Sequence, residues 1–426
     1  MNRIKTILVA AAILQVSFLT AVCQTKPAAG ENATLPSAVN LDKPPTFQIN
    51  AKDLPKPYAS ESARRGSRLV AQPKDARLSL PKGFKISVFA EGGFTYPRWM
   101  TLAPNGDVFV ADSRANSVVV LRDKNKDGTI TADERFTFAE NLSQPFGMAF
   151  NGDYFYVANT DAVVRFKYKS GQTKAESAPE KIITLTEGGY NQHWTRNILF
   201  APDGKKLYVS IGSSGNVDIE TDERRAGISE YNPDGTGYRL FASGLRNPIG
   251  LAWNPANGQL WTAVNERDGL GDDLVPDYVT SVKDGGFYGF PYYYIGNNKD
   301  PRRREEIKLA APPIVPDVLL TSHSAALGIE FYDGNMFPKE YQGDAFVALH
   351  GSWNREKLTG FKIIRVNFEN GKLVNNGYED FITGWLPNEN SPEVWGRPVG
   401  LLVNADGSLL IADDGAKKIW RVSYQK

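Results

Sequence analysis

The chain has 426 residues, 49 Lys and Arg against 48 Asp and Glu, a formal net charge of +1, and a single cysteine. So even a balance provides no global field for holding a polyanion, which argues against nucleic acid as a partner. One cysteine leaves no intramolecular disulfide, and 39 Gly, 26 Pro and 11% aromatic residues, spread as punctuation between short apolar runs, suit an all-β body.

Residues 1–23 (MNRIKTILVAAAILQVSFLTAVC) put two early positive charges before an apolar run over residues 7–22. That pattern predicts an export signal, and with it a periplasmic or envelope-anchored protein. A buried first helix is the alternative, and the polar, Pro-rich stretch that follows speaks against it. Cys23 sits where a lipoprotein signal carries its acylated residue, but Val22 stands where a smaller residue is usual, so a lipid anchor and plain cleavage nearby both stay open. Residues 24–78 are rich in Pro, Ala, Ser, Asn and Lys and lack strand periodicity, which predicts a tether or wrapping arm.

Over residues 79–426 a loose repeat appears: a Pro- or Gly-containing entry, an apolar strand, an NG or DG turn, then further strands. YPRWMTLAPNGDVFVADSRANSVVVL, QPFGMAFNGDYFYVANTDAVVRFKY and RPVGLLVNADGSLLIADDGAKKIWRV are three of its six instances. The turns Asn105-Gly106, Asn151-Gly152, Asp203-Gly204, Asn257-Gly258 and Asp406-Gly407 are spaced by 46, 52, 54 and 149 residues, the last gap leaving room for an irregular repeat around Asp333 to His350. These dipeptides suggest type I′ hairpins. Repeats of this size predict a six-bladed β-propeller with four-stranded blades, in which FKISVFA pairs with IWRVSY to close the ring. A two-sheet sandwich is the rival, but it predicts no self-similarity.

Two features carry chemistry. The three histidines, His193, His323 and His350, lie at the ends of blade strands, where a propeller lines its channel; a hydrogen-bonded structural histidine is the alternative for each. The segment DKNKDGTITADE matches a calcium-loop pattern through Asp123, Asn125, Asp127, Gly128 and Glu134. Its flanks read as strands, not helices, so the expectation is a structural calcium in a blade connection. A solvated acidic turn is the alternative.

The segments GYNQHWTRNILFAPDGKKLYVSIG, ASGLRNPIGLAWNP, NERDGLGDD with KDGGFYGFP, GSWNR and GRPVG, in this order, resemble the soluble quinoprotein glucose and aldose dehydrogenases. They resemble still more the L-sorbosone dehydrogenase-like branch of that group. The resemblance implies an oxidoreductase with pyrroloquinoline quinone (PQQ) and Ca2+, oxidising a sugar or an aldehyde such as sorbosone and passing electrons to an external cytochrome or quinone. It implies His193 as general base, and Arg246 and Asn247 at the quinone, Arg246 stabilising the developing anion. It places the backbone carbonyls of Asp268 and Gly269 on a catalytic calcium. Asn354, Arg355 and Arg397 would grip the cofactor's carboxylates, Arg355 equally suiting a surface acid. Two departures stand out. Ser213 falls where the family has an Asp that orients the histidine, and Asn354 where it has a Lys. A calcium-dependent lactonase, needing convergent carboxylates and asparagines, and a non-catalytic binding propeller are the competing functions. The loops from Asp272 to Asp300 are expected at the channel mouth.

Overall fold

Apolar runs of about five residues, each ended by Gly, Asn or Asp, build six antiparallel sheets in chain order. The computed structural model describes residues 36–185 and 193–425. The expected export signal and Cys23 lie outside these residues. The first blade comprises Pro97–Leu102, Val108–Asp112, Ser117–Leu121 and Arg135–Ala139, and the second Met148–Asn151, Tyr154–Ala158, Ala162–Lys167 and Glu180–Thr184. The innermost strands of the remaining blades are Arg196–Phe200, Pro248–Trp253, Ala326–Phe331 and Pro398–Val403. These innermost strands touch one another in cyclic order, the sixth meeting the first. Phe84–Glu91 pairs antiparallel with Lys418–Tyr424 and supplies the outer strand of the sixth blade, the closure expected from the sequence.

Neighbouring blades bury their faces on each other. Phe109 of the first blade sits 4.9 Å from Phe155 of the second, ring centre to ring centre. The inner strands approach so closely that side chains have no room at certain points: a Cβ on Gly328 would lie 2.3 Å from the Val399 carbonyl oxygen, and one on Gly400 2.5 Å from that of Arg98. Glycine at these entries (LGIEF, VGLLV) is therefore a packing requirement of the ring.

The turns differ from the type I′ expectation. Gly106, Gly204 and Gly407 have φ of +89°, +70° and +83°, but Asn105, Asp203 and Asp406 are not left-handed. The amides of these three glycines bond back to Ala103, Ala201 and Asn404. This is the three-residue hairpin, a type I turn closed by a left-handed glycine, and Pro104 and Pro202 at its first corner favour it.

Within residues 24–78, Ser37–Leu41 pairs in parallel with Arg77–Pro81, Thr46–Gln48 adds a strand to the edge of the fifth blade, and Arg68–Leu69 pairs with Glu393–Val394. These short strands carry no periodicity of their own; Thr46–Gln48 takes its hydrogen bonds from a blade edge, and the other two from single partner strands in two-stranded sheets. Between them the chain is tied to the fourth blade, Gly271 N–H donating to Ser62 Oγ at 2.9 Å and Asp272 N–H to Ser60 Oγ at 2.9 Å.

Trp420 tests the closure. It is fully buried in the closing strand, and its indole N–H donates to Asp413 Oδ2 at 2.9 Å. Trp420→Ala is expected to cost about 3–5 kcal/mol of unfolding free energy in urea, by lost burial and by depriving a buried carboxylate of a donor. A loss within about 1 kcal/mol would show that the closing strand is not a stability-determining element.

Candidate active site

Because every innermost strand runs in the same direction, the residues that precede these strands meet at one end of the channel. A cavity of about 310 Å³ opens there, with Arg98, His193, Arg246, Asp268, His323, His350 and Arg397 among its walls. Five of the six blades contribute, and all three histidines converge. Of the residues expected from the sequence, His193, Arg246, Asn247, Asp268, Asn354 and Arg397 line the cavity.

His193 is held from behind. Its Nδ1 lies 2.8 Å from the Ser213 carbonyl oxygen and 3.0 Å from Ser213 Oγ, and that hydroxyl donates to the Gly215 carbonyl at 2.6 Å. The carbonyl can only accept, so Nδ1 carries the proton and Nε2 is left as the lone-pair nitrogen. The missing aspartate is thus replaced, for orientation, by a backbone oxygen. Burial, then the Arg246 charge, push the His193 imidazole down from 6.5 to about 3, so it is neutral at working pH.

Arg246 is fully enclosed. Its guanidinium donates to Asn216 O at 3.1 Å, Asn216 Oδ1 at 3.0 Å and Glu266 O at 2.7 Å, and lies 3.4 Å from Asp268 Oδ2. Asp268 also accepts from Asn354 Nδ2 at 2.5 Å and sits 3.6 Å from His323 Nδ1. Burial alone would raise the Asp268 carboxyl, but His323, Arg246 and Asn354 outweigh it and hold it below the usual range. His323 is the one histidine with a raised pKa: burial opposes its charge, and the Asp268 carboxylate overcomes burial. On the other wall His350 Nε2 lies 2.9 Å from Asp414 Oδ2 and its Nδ1 3.1 Å from Arg397 Nη2, while Arg98 pairs with Asp414. Burial, then Arg397, push His350 down to about 4.

Three expectations are not met. Arg355 does not line the cavity; it donates to the Asp272 carbonyl at 2.6 Å and Asp273 Oδ1 at 2.6 Å, the surface pairing open to it from the start. The Asp268 carbonyl is not directed at a cavity cation, since it accepts from Arg302 Nη1 at 2.6 Å and Asn216 Nδ2 at 2.9 Å. Gly269 is absent from the cavity wall, and the successive carbonyls that meet a cation are Asn265 and Glu266, whose cation is Arg246. Asp268 enters the cavity by its side chain instead. The carbonyl pair therefore does not fit a catalytic calcium. In the 123–134 loop, Asp123 accepts from the amides of Asp127 and Gly128, and Glu134 from those of Lys124 and Thr131. Among the described residues no three His, Cys, Asp or Glu side chains are gathered as a metal site would be. Of the arginines on the cavity wall, Arg98 and Arg246 have carboxylate partners, and Arg397 has none within ion-pair range among the described residues. Arg397 Nε is buried with no hydrogen-bond partner among the described residues, an unspent donor that suits an added carboxylate.

Sequence reasoning missed Arg98, Asp277 and Asp414. Arg98 was within reach, because it lies within two residues of the proline that opens its inner strand, as Arg246 and Arg397 do in LRNP and GRPV, though after that proline and not before it. Asp277 carried no such signal; it accepts from the Glu266 and Ala325 amides at 2.8 and 2.6 Å, tying two blades together, and burial pushes it up to about 6.

A six-bladed propeller with a histidine- and arginine-lined cavity at its channel mouth defines the class. The chain belongs to the TrAA12-like family, whose model matches residues 78–284 and 298–425. It is 29% identical over 375 residues to an uncharacterized protein of Borreliella burgdorferi, covering 84% of this chain and 94% of the other. It is 23% identical to the PQQ-dependent pyranose dehydrogenase of Coprinopsis cinerea, covering 81% of this chain and 54% of that protein, and so spans about half of that relative's length. The holo form of the PQQ domain of pyranose dehydrogenase from Coprinopsis cinerea superimposes with a TM-score of 0.69 at 20% identity, over 84% of this chain and 100% of that one, a likeness of fold. These matches bear out the resemblance to quinoprotein sugar dehydrogenases.

The buried, neutral His193 has a consequence for stability. Between about 3 and 6.5 the unfolded chain binds a proton there that the folded chain does not. Its contribution is therefore full above this window and is lost as pH falls through it. Asp277 and Asp413, pushed up to about 6, act in the opposite sense, so a difference is the diagnostic. From about pH 7 to about pH 5 the wild type should lose about 2 kcal/mol more than His193→Gln in urea unfolding. Parallel pH profiles would mean that His193 is not buried in its neutral form.

Proposed function

We propose that the protein is a PQQ-dependent sugar dehydrogenase that oxidises an aldose, or an aldehyde such as sorbosone, to the lactone or acid. The carrying observation is His193: a neutral imidazole on the cavity wall, its Nδ1–H fixed on the Ser213 carbonyl and its Nε2 without a partner among the described residues. When bound, PQQ supplies a two-electron acceptor for the substrate's hydride. His193 Nε2 takes the proton of the anomeric hydroxyl. Arg246, held rigid by four oxygen acceptors, stabilises negative charge developing on the acceptor carbonyl. Arg397 and Asn354 orient the cofactor, and cavity walls sealed by blade packing limit water. An external cytochrome or quinone would be the final electron acceptor, in keeping with the expected export of the chain.

No calcium step enters this reading of the cavity, because the carbonyls that would hold the ion are spent. The lactonase alternative gains something from the structure, since Asp268, Asn247, Asn265 and Asn354 do converge on the cavity. It is the weaker reading, because Asp268 is already engaged by Arg246 and Asn354, and both comparison proteins of stated activity are dehydrogenases.

His193→Gln separates chemistry from binding. Turnover in a dye-reduction assay should fall by roughly 10²- to 10⁴-fold, while PQQ affinity stays near wild type. Full activity in this variant would transfer the base role to another residue, and a wild type that binds no PQQ would overturn the dehydrogenase reading.

The 123–134 loop joins the third and fourth strands of the first blade at the end away from the cavity; from its sequence pattern we propose a structural calcium site, which requires Asp123 and Glu134 to turn from the loop's own amides to the ion. Calcium should raise the wild-type melting temperature by a few degrees, about 1 kcal/mol or more. Asp123→Ala with Glu134→Ala should abolish that increment and leave turnover near wild type. An equal calcium response in both proteins would place the ion elsewhere or nowhere.

A further inference from the structure

We propose that His350 is a positioning residue: its tautomer, locked by Asp414, presents Nδ1 as the acceptor that aims the Arg397 guanidinium into the cavity. The inference rests on the dehydrogenase reading for what Arg397 meets there, namely a carboxylate of the quinone.

The geometry decides the protonation state. A guanidinium has donors and no acceptor, so the 3.1 Å contact between Arg397 Nη2 and His350 Nδ1 requires a lone pair on Nδ1. The proton is then on Nε2, which points at both oxygens of Asp414, at 3.0 and 2.9 Å. Arg98 Nη1 stands 3.5 Å from the same Nε2, too far and wrongly matched to donate to it, and is spent on Asp414 instead. A carboxylate, an imidazole and a guanidinium thus form one chain in which each donor has one acceptor. Swapping the tautomer would place N–H against N–H at Arg397 and leave Asp414 facing a lone pair. A doubly protonated ring would stand between Arg98 and Arg397, and burial opposes its charge as well.

The same turn also holds Arg397 at its main chain. Its amide donates to Asp413 Oδ1 at 2.7 Å, and its carbonyl accepts from the Asp414 amide. A Cβ on Gly415 would lie 3.0 Å from Arg397 Cγ, so the glycine leaves space for the stem of the side chain. Backbone and stem are thereby fixed, and the head is steered by a single hydrogen bond to His350. Among the described residues Arg397 has no carboxylate partner and its buried Nε no acceptor, which leaves the guanidinium with donors for an incoming anion. His350 lets the protein orient this cation without neutralising it, which a carboxylate in its place would do.

Two substitutions at one position separate steering from filling space. His350→Asn puts a carbonyl oxygen near the place of Nδ1 and can still accept from Arg397. His350→Gln carries its amide out to the place of Nε2, where it can meet Asp414, but offers Arg397 no acceptor at the Nδ1 place. Purified apoprotein is titrated with PQQ, following tryptophan fluorescence, and melting curves confirm that each variant is folded. His350→Gln should weaken PQQ binding roughly ten- to hundredfold, the scale of one charge-assisted hydrogen bond, while His350→Asn stays within about threefold of wild type. Equal losses in both variants, or wild-type affinity in His350→Gln, would overturn the positioning role. If the wild type itself binds no PQQ, the dehydrogenase reading fails first and this inference with it.

Discussion

The site depends on a geometric constraint of the closed ring: six innermost strands packed backbone to backbone and all running the same way. The pairing of Phe84–Glu91 with Lys418–Tyr424 enforces it, because an unclosed sixth blade would leave the inner strands Pro398–Val403 and Pro97–Leu102 without a fixed separation. Glycines at the closest crossings let the backbones meet; at Gly400 the neighbouring backbone is that of Arg98 itself. One short chain segment per repeat is thereby delivered to the channel mouth at a set height. Residues as distant in sequence as Arg98 and Asp414 then form an ion pair with little exposed surface.

Inside the cavity, burial rather than sequence identity sets the charge of each group. The three histidines have the same side chain and three different partners. His193 and His350 are driven neutral by desolvation and by neighbouring arginines, and His323 is kept basic by Asp268. Arg246 is buried, yet oxygen acceptors surround it, so its charge is solvated by fixed dipoles that need not reorganise. Two arginines are matched by carboxylates and Arg397 is not, which concentrates the uncompensated charge at one wall of the cavity.

Much of this was legible in the sequence, and what was not has physical causes. Blade number, strand order and ring closure follow from apolar runs and turn residues, which are local. The turn type was misread because Asn-Gly and Asp-Gly suit both type I′ hairpins and the type I turn with a left-handed glycine; Pro104 and Pro202 discriminate at two of the turns, while Ala405 gives no such signal at the third. The strands of the arm were invisible because they are short and form only by pairing with distant segments, one of them a blade edge. At the site, His193, Arg246 and Arg397 could be placed by motif, since the repeat fixes where an entry residue goes. The direction in which a particular carbonyl points could not, because it depends on loops: Arg302, thirty-four residues beyond Asp268, takes the carbonyl expected to hold a metal. Arg355 is adjacent to Asn354, yet successive residues face opposite ways and only one reaches the cavity.

The exchange of a carboxylate for the Ser213 carbonyl behind His193 divides two tasks that an aspartate performs together. Orientation survives, since an acceptor at 2.8 Å fixes the tautomer and the ring plane as well as a carboxylate oxygen does. Charge compensation does not, since a carbonyl dipole would offset only part of the charge of a protonated ring. Beside the Ser213 bond, Asp268 also favours the charged ring, and Arg246 opposes it more strongly than either. Asp268 is in turn shared with Arg246, His323 and Asn354, so its field at His193 depends on how those three are arranged. The basicity of His193 is therefore set first by its burial and then by Arg246, which lower it, against the Ser213 bond behind the ring and, after that, the Asp268 cluster across the cavity, which raise it.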